Sequence, residues 1–371
     1  MKNLLNNINE TLLMGPGPSS VSPSVYEALS TSTIGHLDPR FIEIMDEIKK
    51  LLRIVFKTEN DFCMPVSGTG SAAMESCFVN LIDPGNKVLI IQNGYFSLRM
   101  ENMCQRLNAD IDILKFDWGK SVDLNITEDY LKNHYDVVAV VHAETSTGVK
   151  NPIEKISTLI KPESIFLVDA VTSLGTINLE VDKWNIDAIY SCSQKGLSCP
   201  PGASPISFSN KAISKMNLRE KMIPNWYLDM KEIIKYWDGN QRAYHHTAPI
   251  NMMYALYQGL LDIVDEGMEN ILKRHQLVHE KLVNGLQNMG LEMLVNKESR
   301  LPSLNAVLIP DGVNDMHVRS KLLNDYHIEI GGGLGPFAGK VWRIGLMGHS
   351  AKEENVDKLL SSLSSIIKNK I

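Results

Sequence analysis

Residues 165–169 read Ile-Phe-Leu-Val-Asp, four apolar residues that stop on a carboxylate. A run this short and this continuously apolar is a strand buried on both faces, as in a parallel sheet covered by helices. Residues 88–91, Val-Leu-Ile-Ile, repeat the pattern. Working outward, strands are predicted over 61–66, 87–92, 112–116, 137–142, 165–169 and 188–191. Helices are predicted between several of them, over 71–81, 96–107, 128–134 and 152–160. Strands alternating with helices imply parallel pairing through right-handed crossovers.

Two helices precede this alternation, over 23–30 and 39–56. In the second, Phe41, Ile42, Met45, Ile48, Leu51, Leu52 and Val55 recur at helical spacing. Ahead of both lies Gly15-Pro16-Gly17-Pro18-Ser19-Ser20, a rigid extended stretch that no helix accepts. From 251 to 287 runs one long helical pattern. After it come a strand (306–309), a helix (317–324), two strands (327–330 and 341–346) and a last helix (353–368). The expected division is an extended arm over 1–20, a large α/β domain over 21–265 and a smaller α+β domain over 266–371.

Composition mainly excludes. The 371 residues are 44% hydrophobic and 22% charged, an ordinary globular balance. A net charge of −6 argues against a nucleic-acid binder. No apolar run approaches the ~20 residues of a membrane span, and the first residues lack a signal peptide's apolar core. Five scattered cysteines (Cys63, Cys77, Cys104, Cys192, Cys199) form no C-x-x-C pair. They suit a reducing, cytoplasmic setting rather than a disulfide framework or a zinc knuckle. His275 and His279 stand four apart, but with no third ligand evident they are expected on a solvated helix face, and no metal site is expected.

Three stretches could carry chemistry. Ser67-Gly68-Thr69-Gly70-Ser71 joins a strand to a helix, where free N–H groups and hydroxyls suit a phosphate. It would serve equally as a plain capped turn. It is not the dinucleotide fingerprint, because Ala73 stands where the third glycine belongs, and no Walker sequence follows. Asp169 ends its strand at the sheet edge where open α/β folds bind ligands, although a turn aspartate would look the same. Lys195, in Ser193-Gln194-Lys195-Gly196, follows the next strand; a buried lysine there is a nucleophilic amine, whereas most lysines are solvated. Together, a phosphate cradle, a strand-end Asp and a strand-end Lys correspond to the phosphate, the ring nitrogen and the aldehyde of pyridoxal 5′-phosphate.

The sequence also resembles, almost end to end, the class V, fold-type I aminotransferases, specifically the alanine–glyoxylate/serine–pyruvate group. The likeness runs through Gly15-Pro16-Gly17-Pro18-Ser19, Gly35-His36, Val66-Ser67-Gly68-Thr69-Gly70 and His142-Ala143-Glu144-Thr145-Ser146-Thr147-Gly148. It continues through Val168-Asp169-Ala170-Val171-Thr172-Ser173, Tyr190-Ser191-Cys192-Ser193-Gln194-Lys195, Tyr244-His245-His246-Thr247 and Gly339-Lys340-Val341-Trp342-Arg343-Ile344-Gly345. The resemblance implies a mainly parallel seven-stranded sheet between helices, plus the smaller α+β domain. It implies a homodimer with shared active sites and Lys195 as the Schiff-base lysine. Thr69, Gly70, Ser71 and Gln194 would hold the phosphate, joined by Tyr244 and Thr247 from the neighbouring subunit. Phe96 would stack on the ring, Ser146 would lie near its oxygen side and Asp169 would face the ring nitrogen. Arg343 would take the substrate carboxylate, and the backbone at Gly17 and Gly35 would close over the substrate. On residue type alone, Phe96 is equally a core residue and Arg343 a salt-bridged one.

The implied reaction moves the amino group of a small amino acid, alanine or serine, to glyoxylate or pyruvate by a ping-pong route. The alternatives are the same chemistry on ureidoglycine, 2-aminoethylphosphonate, pyridoxamine or 3-hydroxykynurenine. More distant is a nicotinamide-dependent oxidoreductase, which would leave Lys195 idle.

Overall fold

The computed structural model describes residues 3–238 and 242–367. Residues 1–2 of the expected arm and everything from Lys368 onward lie outside the described residues. At the centre is a seven-stranded sheet. In chain order its strands are β1 (Phe62–Gly68), β2 (Lys87–Gln92), β3 (Asp110–Lys115), β4 (Val137–Val141), β5 (Ile165–Asp169), β6 (Ala188–Tyr190) and β7 (Gly202–Phe208). Their spatial order is β1-β7-β6-β5-β4-β2-β3. Strands β6, β5, β4, β2 and β3 pair in parallel, while β7 runs antiparallel to both neighbours.

Strand β7 escapes the sequence reading because Pro205 sits in its middle. The register answers the objection: Pro205 lies opposite Pro65 of β1. The Pro205 carbonyl accepts from Ser191 on the far side, so the two imino nitrogens point away from each other. Pro65 turns its missing donor to the open sheet edge, and β6 ends at Tyr190 before Pro205 needs a partner.

Helix α1 spans Pro23–Leu29 and α2 spans Pro39–Phe56. Asp38 caps α2 by accepting from the Arg40 amide, and Lys57 ends it in the left-handed region at φ 53°. Its apolar stripe, from Phe41 and Met45 to Val55 and Phe56, is buried against the helix Ile250–Glu266 and β1. Each such side chain contributes about 1.5–3 kcal/mol. Helix α3 (Gly70–Leu81) follows β1, and α4 (Tyr95–Arg106) follows β2. The 128–134 helix begins earlier than expected, as Leu124–Leu131, because Asp123 accepts from the Asn125 and Ile126 amides. The 152–160 helix shortens to Ile153–Ser157, and Asn210–Leu218 and Met230–Trp237 form helices that the pattern did not reveal.

The long pattern after 250 is two helices, Ile250–Glu266 and Met268–Asn288, parted by Gly267 at φ 80°. Beyond it a three-stranded antiparallel sheet orders Leu304–Leu308, Val341–Gly345 and Gly331–Gly332. A second apolar cluster there includes Val278, Leu282, Trp342, Ile344 and Leu359, distinct from the cluster around the large sheet. Met14 of the N-terminal arm belongs to that second cluster, and Leu12–Leu13 pair in parallel with Ile328–Glu329. Among the described residues no helix is long and apolar enough to cross a membrane.

The arm therefore lies on the small sheet, and one glycine makes room for it. A Cβ on Gly345 would fall 2.0 Å from the Gly15 carbonyl oxygen, while the Gly345 amide donates to Met14 at 2.8 Å. Gly345→Ala should destabilise the chain by about 1–3 kcal/mol, read as a lowered unfolding midpoint. Gly35→Ala, whose Cβ would meet nothing within 4 Å, should leave the midpoint where it is.

Candidate active site

Every strand that leads into the predicted site delivers its residue at one sheet edge. Strand β1 runs parallel to β6 through the reversed β7, so the carboxyl ends of β1, β2, β4, β5 and β6 face the same way. Thr69–Ser71 follow β1, Phe96 follows β2, Ser146 follows β4, Asp169 ends β5 and Lys195 follows β6. This is the crevice where open α/β sheets bind ligands.

Lys195 is buried, with only 8% of its surface exposed, and its Nζ donates to the Pro16 carbonyl of the arm. Gly17, at φ 110°, lies directly over the amine: a Cβ there would collide with the Lys195 side chain. Ser19 closes the contact from the arm, its Oγ donating to the Lys195 carbonyl at 2.7 Å. Burial pushes the amine's pKa down, and the Arg343 cation acts in the same direction.

Asp169 is fully enclosed. Its Oδ1 accepts from the Val171 amide and its Oδ2 from the Tyr190 hydroxyl, each at 2.8 Å. No cation pairs with it among the described residues. Burial lifts its pKa to about 7, and the nearby Glu144 adds to the rise.

Glu144 was quoted in the sequence without a role, and the structure gives it one. Its Oε1 accepts from the Ser146 amide at 3.1 Å and the Ser146 hydroxyl at 2.6 Å. Its Oε2 accepts from the Phe96 and Ser97 amides at the start of α4, at 3.3 and 3.4 Å. One carboxylate thus ties the Ser146 turn to the helix carrying Phe96, and its charge suits that helix N-terminus. A residue flanked by hydroxyls and glycines gave no periodic signal by which to find it. Ser146 Oγ also accepts from the Tyr95 amide, at 3.0 Å.

Arg343 comes from the Val341–Gly345 strand of the three-stranded sheet. It is buried, Nε donating to the Gly332 carbonyl at 2.7 Å and Nη1 to the Thr145 carbonyl at 3.2 Å. No carboxylate pairs with it among the described residues, and burial draws its pKa down to about 10. That disfavours the alternative of a salt-bridged core arginine.

With these groups in place, comparison with known proteins decides the family. The Aminotransferase class-V profile matches residues 23–359. The chain is 38% identical to the alanine–glyoxylate aminotransferase of Mus musculus over 363 residues, which is 96% of this chain and 88% of that protein. It is 34% identical to the (S)-ureidoglycine–glyoxylate transaminase of Bacillus subtilis over 96% of this chain and 90% of that protein. A crystal structure of alanine–glyoxylate aminotransferase from Nostoc sp. superposes with a TM-score of 0.95 at 48% identity, covering 97% of this chain and 96% of that one.

The chain belongs to the class V aminotransferases.

In this aminotransferase the remaining predicted residues divide. Gly70 is packed inside the site, where a Cβ would lie 3.1 Å from the Cys192 Cβ. Thr69 and Ser71 are exposed at the start of α3, and Thr69 makes no side-chain cap bond. One end of the half-buried Gln194 amide is enclosed without a partner. Gly35, Tyr244 and Thr247 form a separate group: Tyr244 is 60% exposed, bonds Thr247 at 3.3 Å and lies 5.0 Å from the His36 ring. No hydrogen bond among the described residues joins that group to Lys195. The loop between them is held by His245, stacked on Trp226 at 4.3 Å, and by His246, which bonds Ser67 at 2.7 Å.

The expectation for His275 and His279 needs correction. Neither is on a solvated face. Gly348 donates its amide to His275 Nε2, so His275 Nδ1 carries the proton given to the Ile271 carbonyl; His279 Nδ1 bonds Asn305. Both are buried neutral imidazoles, and burial draws the His275 pKa down to about 4.

Asp169 makes the cofactor-free protein pH-sensitive. Below about pH 4 its carboxyl is protonated in both the folded and unfolded chain. As pH rises toward 7 only the unfolded chain ionises, so the fold loses a few kcal/mol and then levels off. Asp169→Asn lacks this loss. Its unfolding midpoint should gain on the wild type between pH 5 and pH 7 and hold the gap above. A gap constant with pH would mean that Asp169 is already ionised in the folded chain.

Proposed function

We propose that this aminotransferase uses pyridoxal 5′-phosphate to move an amino group from alanine or serine to glyoxylate or pyruvate. The observation that carries the reading is a buried amine and a buried carboxyl at one sheet edge, each without a counter-ion among the described residues. The cofactor fits the groups present: its protonated ring nitrogen is the cation that Asp169 lacks. The open start of α3, where Gly70 and Ser71 keep unbonded N–H groups, suits its phosphate. When bound, the cofactor supplies an electron sink that acidifies the substrate Cα–H.

The protein's part is positioning and proton transfer. Lys195 Nζ is the attachment point and, once free, the base and acid for the Cα proton. Its depressed pKa leaves more of it unprotonated near neutrality. Asp169 keeps the ring nitrogen protonated and Tyr190 holds Asp169 in place. Phe96, fixed by Glu144, offers a flat face to the ring. Arg343 exchanges two backbone carbonyls for the substrate carboxylate, which its planar fork matches better. Gly17 bounds the site above Lys195, with Gly35 assigned to the rim. Ser146 lies beside the ring oxygen, and Gln194 with Thr69–Ser71 holds the phosphate. We place Tyr244 and Thr247 at the phosphate of the second subunit of a homodimer, which accounts for their exposure within one chain. We set the boundary between the large domain (21–265) and the small one (266–371) at the end of the helix that stops on Glu266. The five unpaired, buried cysteines suit a reducing compartment, and we assign the protein to the cytoplasm.

The likeness to the ureidoglycine–glyoxylate enzyme at 34% identity favours ureidoglycine as the second donor to try. Purified protein supplied with pyridoxal phosphate should turn yellow, and borohydride should bleach it and leave the label on Lys195. A half-reaction screen of alanine, serine and ureidoglycine, followed by glyoxylate or pyruvate, identifies the pair. Lys195→Ala should abolish turnover. Arg343→Ala should raise KM for the carboxylate substrates by about 10- to 100-fold. A colourless protein inert with every pair would overturn the reading.

A further inference from the structure

Arg99 has no place in the residue set above, yet it reaches the same cradle. It lies on α4 one turn beyond Phe96, with its guanidinium carbon 5.0 Å from the Phe96 ring centre and 5.6 Å from that of Tyr95. Its Nη1 donates to the Ser71 hydroxyl at 2.8 Å. Among the described residues it pairs with no carboxylate. A half-buried guanidinium normally finds an anion; this one is stacked on an aromatic face and bonded to a neutral hydroxyl.

The hydroxyl it holds is the second residue of α3, at the end of the helix where backbone N–H groups are free and the dipole is positive. The first turn of α3 contains no acidic residue. A positive helix end and an unpaired arginine converge there, and their like signs cost free energy unless an anion joins them. The Arg99 charge is felt at Asp169 as well, where it pulls the carboxyl's pKa down.

We propose that Arg99 is a phosphate-binding residue of the cofactor, moving from the Ser71 hydroxyl to a phosphate oxygen. A phosphomonoester carries about −1.5 to −2 charges near pH 7, and a guanidinium fork can take two of its oxygens. Ser71, relieved of Arg99, then donates its own proton to the phosphate. Phe96 and Arg99 thus act as one unit: a single helix turn supplies the ring contact and the charge contact. The proposal rests on the cofactor reading above and narrows it to one residue of this chain.

The test compares pyridoxal phosphate with pyridoxal, which differs only in lacking the phosphate. The full-length chain, dialysed free of small molecules, is titrated with each compound and followed by its visible absorbance. Arg99→Met should weaken pyridoxal phosphate binding by about 10- to 100-fold while leaving pyridoxal binding unchanged. Arg99→Lys, which keeps the charge and loses the fork, should fall between. It also serves as the second variant should Arg99→Met fail to fold. Inorganic phosphate should compete with pyridoxal phosphate in the wild type and do so less in Arg99→Met. Equal loss of both compounds would mean that Arg99 merely packs α4, and unchanged affinity for pyridoxal phosphate would mean that it does nothing there; either overturns the proposal. A wild type that binds neither compound would instead overturn the cofactor reading itself.

Discussion

The Lys195 amine is buried against a backbone carbonyl 179 residues away in sequence, near the N-terminus, and the packing of the N-terminal segment serves that contact. A buried ammonium is expensive unless a dipole or an anion faces it. Pro16 supplies the dipole, so the arm must run across the site. The arm is held in turn by Met14 in the small apolar cluster, by Leu12–Leu13 on Ile328–Glu329 and by Ser350 Oγ, which donates to the Leu13 carbonyl. The lysine that follows β6 is thus positioned by a strap anchored on the second apolar cluster and on the Ile328–Glu329 strand. Gly17, Gly331 and Gly345 follow from the same demand, since a strap this close to an amine and to a sheet leaves no room for a Cβ at those positions.

Two buried carboxyls, Glu144 and Asp169, share the interior with two buried cations, Lys195 and Arg343. None of the four forms a direct ion pair with another. Each is satisfied by backbone or hydroxyl groups: Pro16 for Lys195, Gly332 and Thr145 for Arg343, Val171 and Tyr190 for Asp169, and the α4 amides with Ser146 for Glu144. Held apart, the cations keep their pKa values depressed and the carboxyls raised, as low dielectric dictates. Such shifted values cluster where chemistry is done.

The parallel half of the sheet was legible because its strands are unbroken apolar runs, and 87–92 and 165–169 match β2 and β5 residue for residue. The antiparallel β7 was hidden by Pro205, whose tolerance depends on a register that no local pattern encodes. The break at Gly267 was invisible because helical periodicity continues on both sides and one glycine does not end a helix by itself. Within the site, Asp169 and Lys195 stood out by following strands. Glu144 and Arg99 did not, because each acts on a partner distant in sequence: Glu144 on the first turn of α4, Arg99 on Ser71. His275 and His279 misled for a related reason. Four-residue spacing says which face two side chains share and leaves open whether that face meets water or the helix's neighbours.

The segment after Lys195 touches the C-terminal part of the chain directly. Gly348 packs so closely on this loop that a Cβ would collide with Ser198 Oγ, and the His349 amide donates to that same oxygen at 2.8 Å. Across the break at Gly267, Glu266 and Arg274 form a bidentate pair at 2.6 and 2.8 Å. Arg274 also holds the carbonyls of Gly348 and Ala351, both at 2.9 Å. The helix break is therefore braced by a charge pair that grips the loop touching Ser198. Arg343 lies on the strand just before that loop, its guanidinium resting on two carbonyls that bind it more weakly than a carboxylate would. The strand that carries Arg343 runs on into the Gly348–His349 turn at Ser198, and Gly345 at its end holds the Met14 carbonyl of the segment that crosses Lys195, so the surroundings of Arg343 and of Lys195 are joined through one strand.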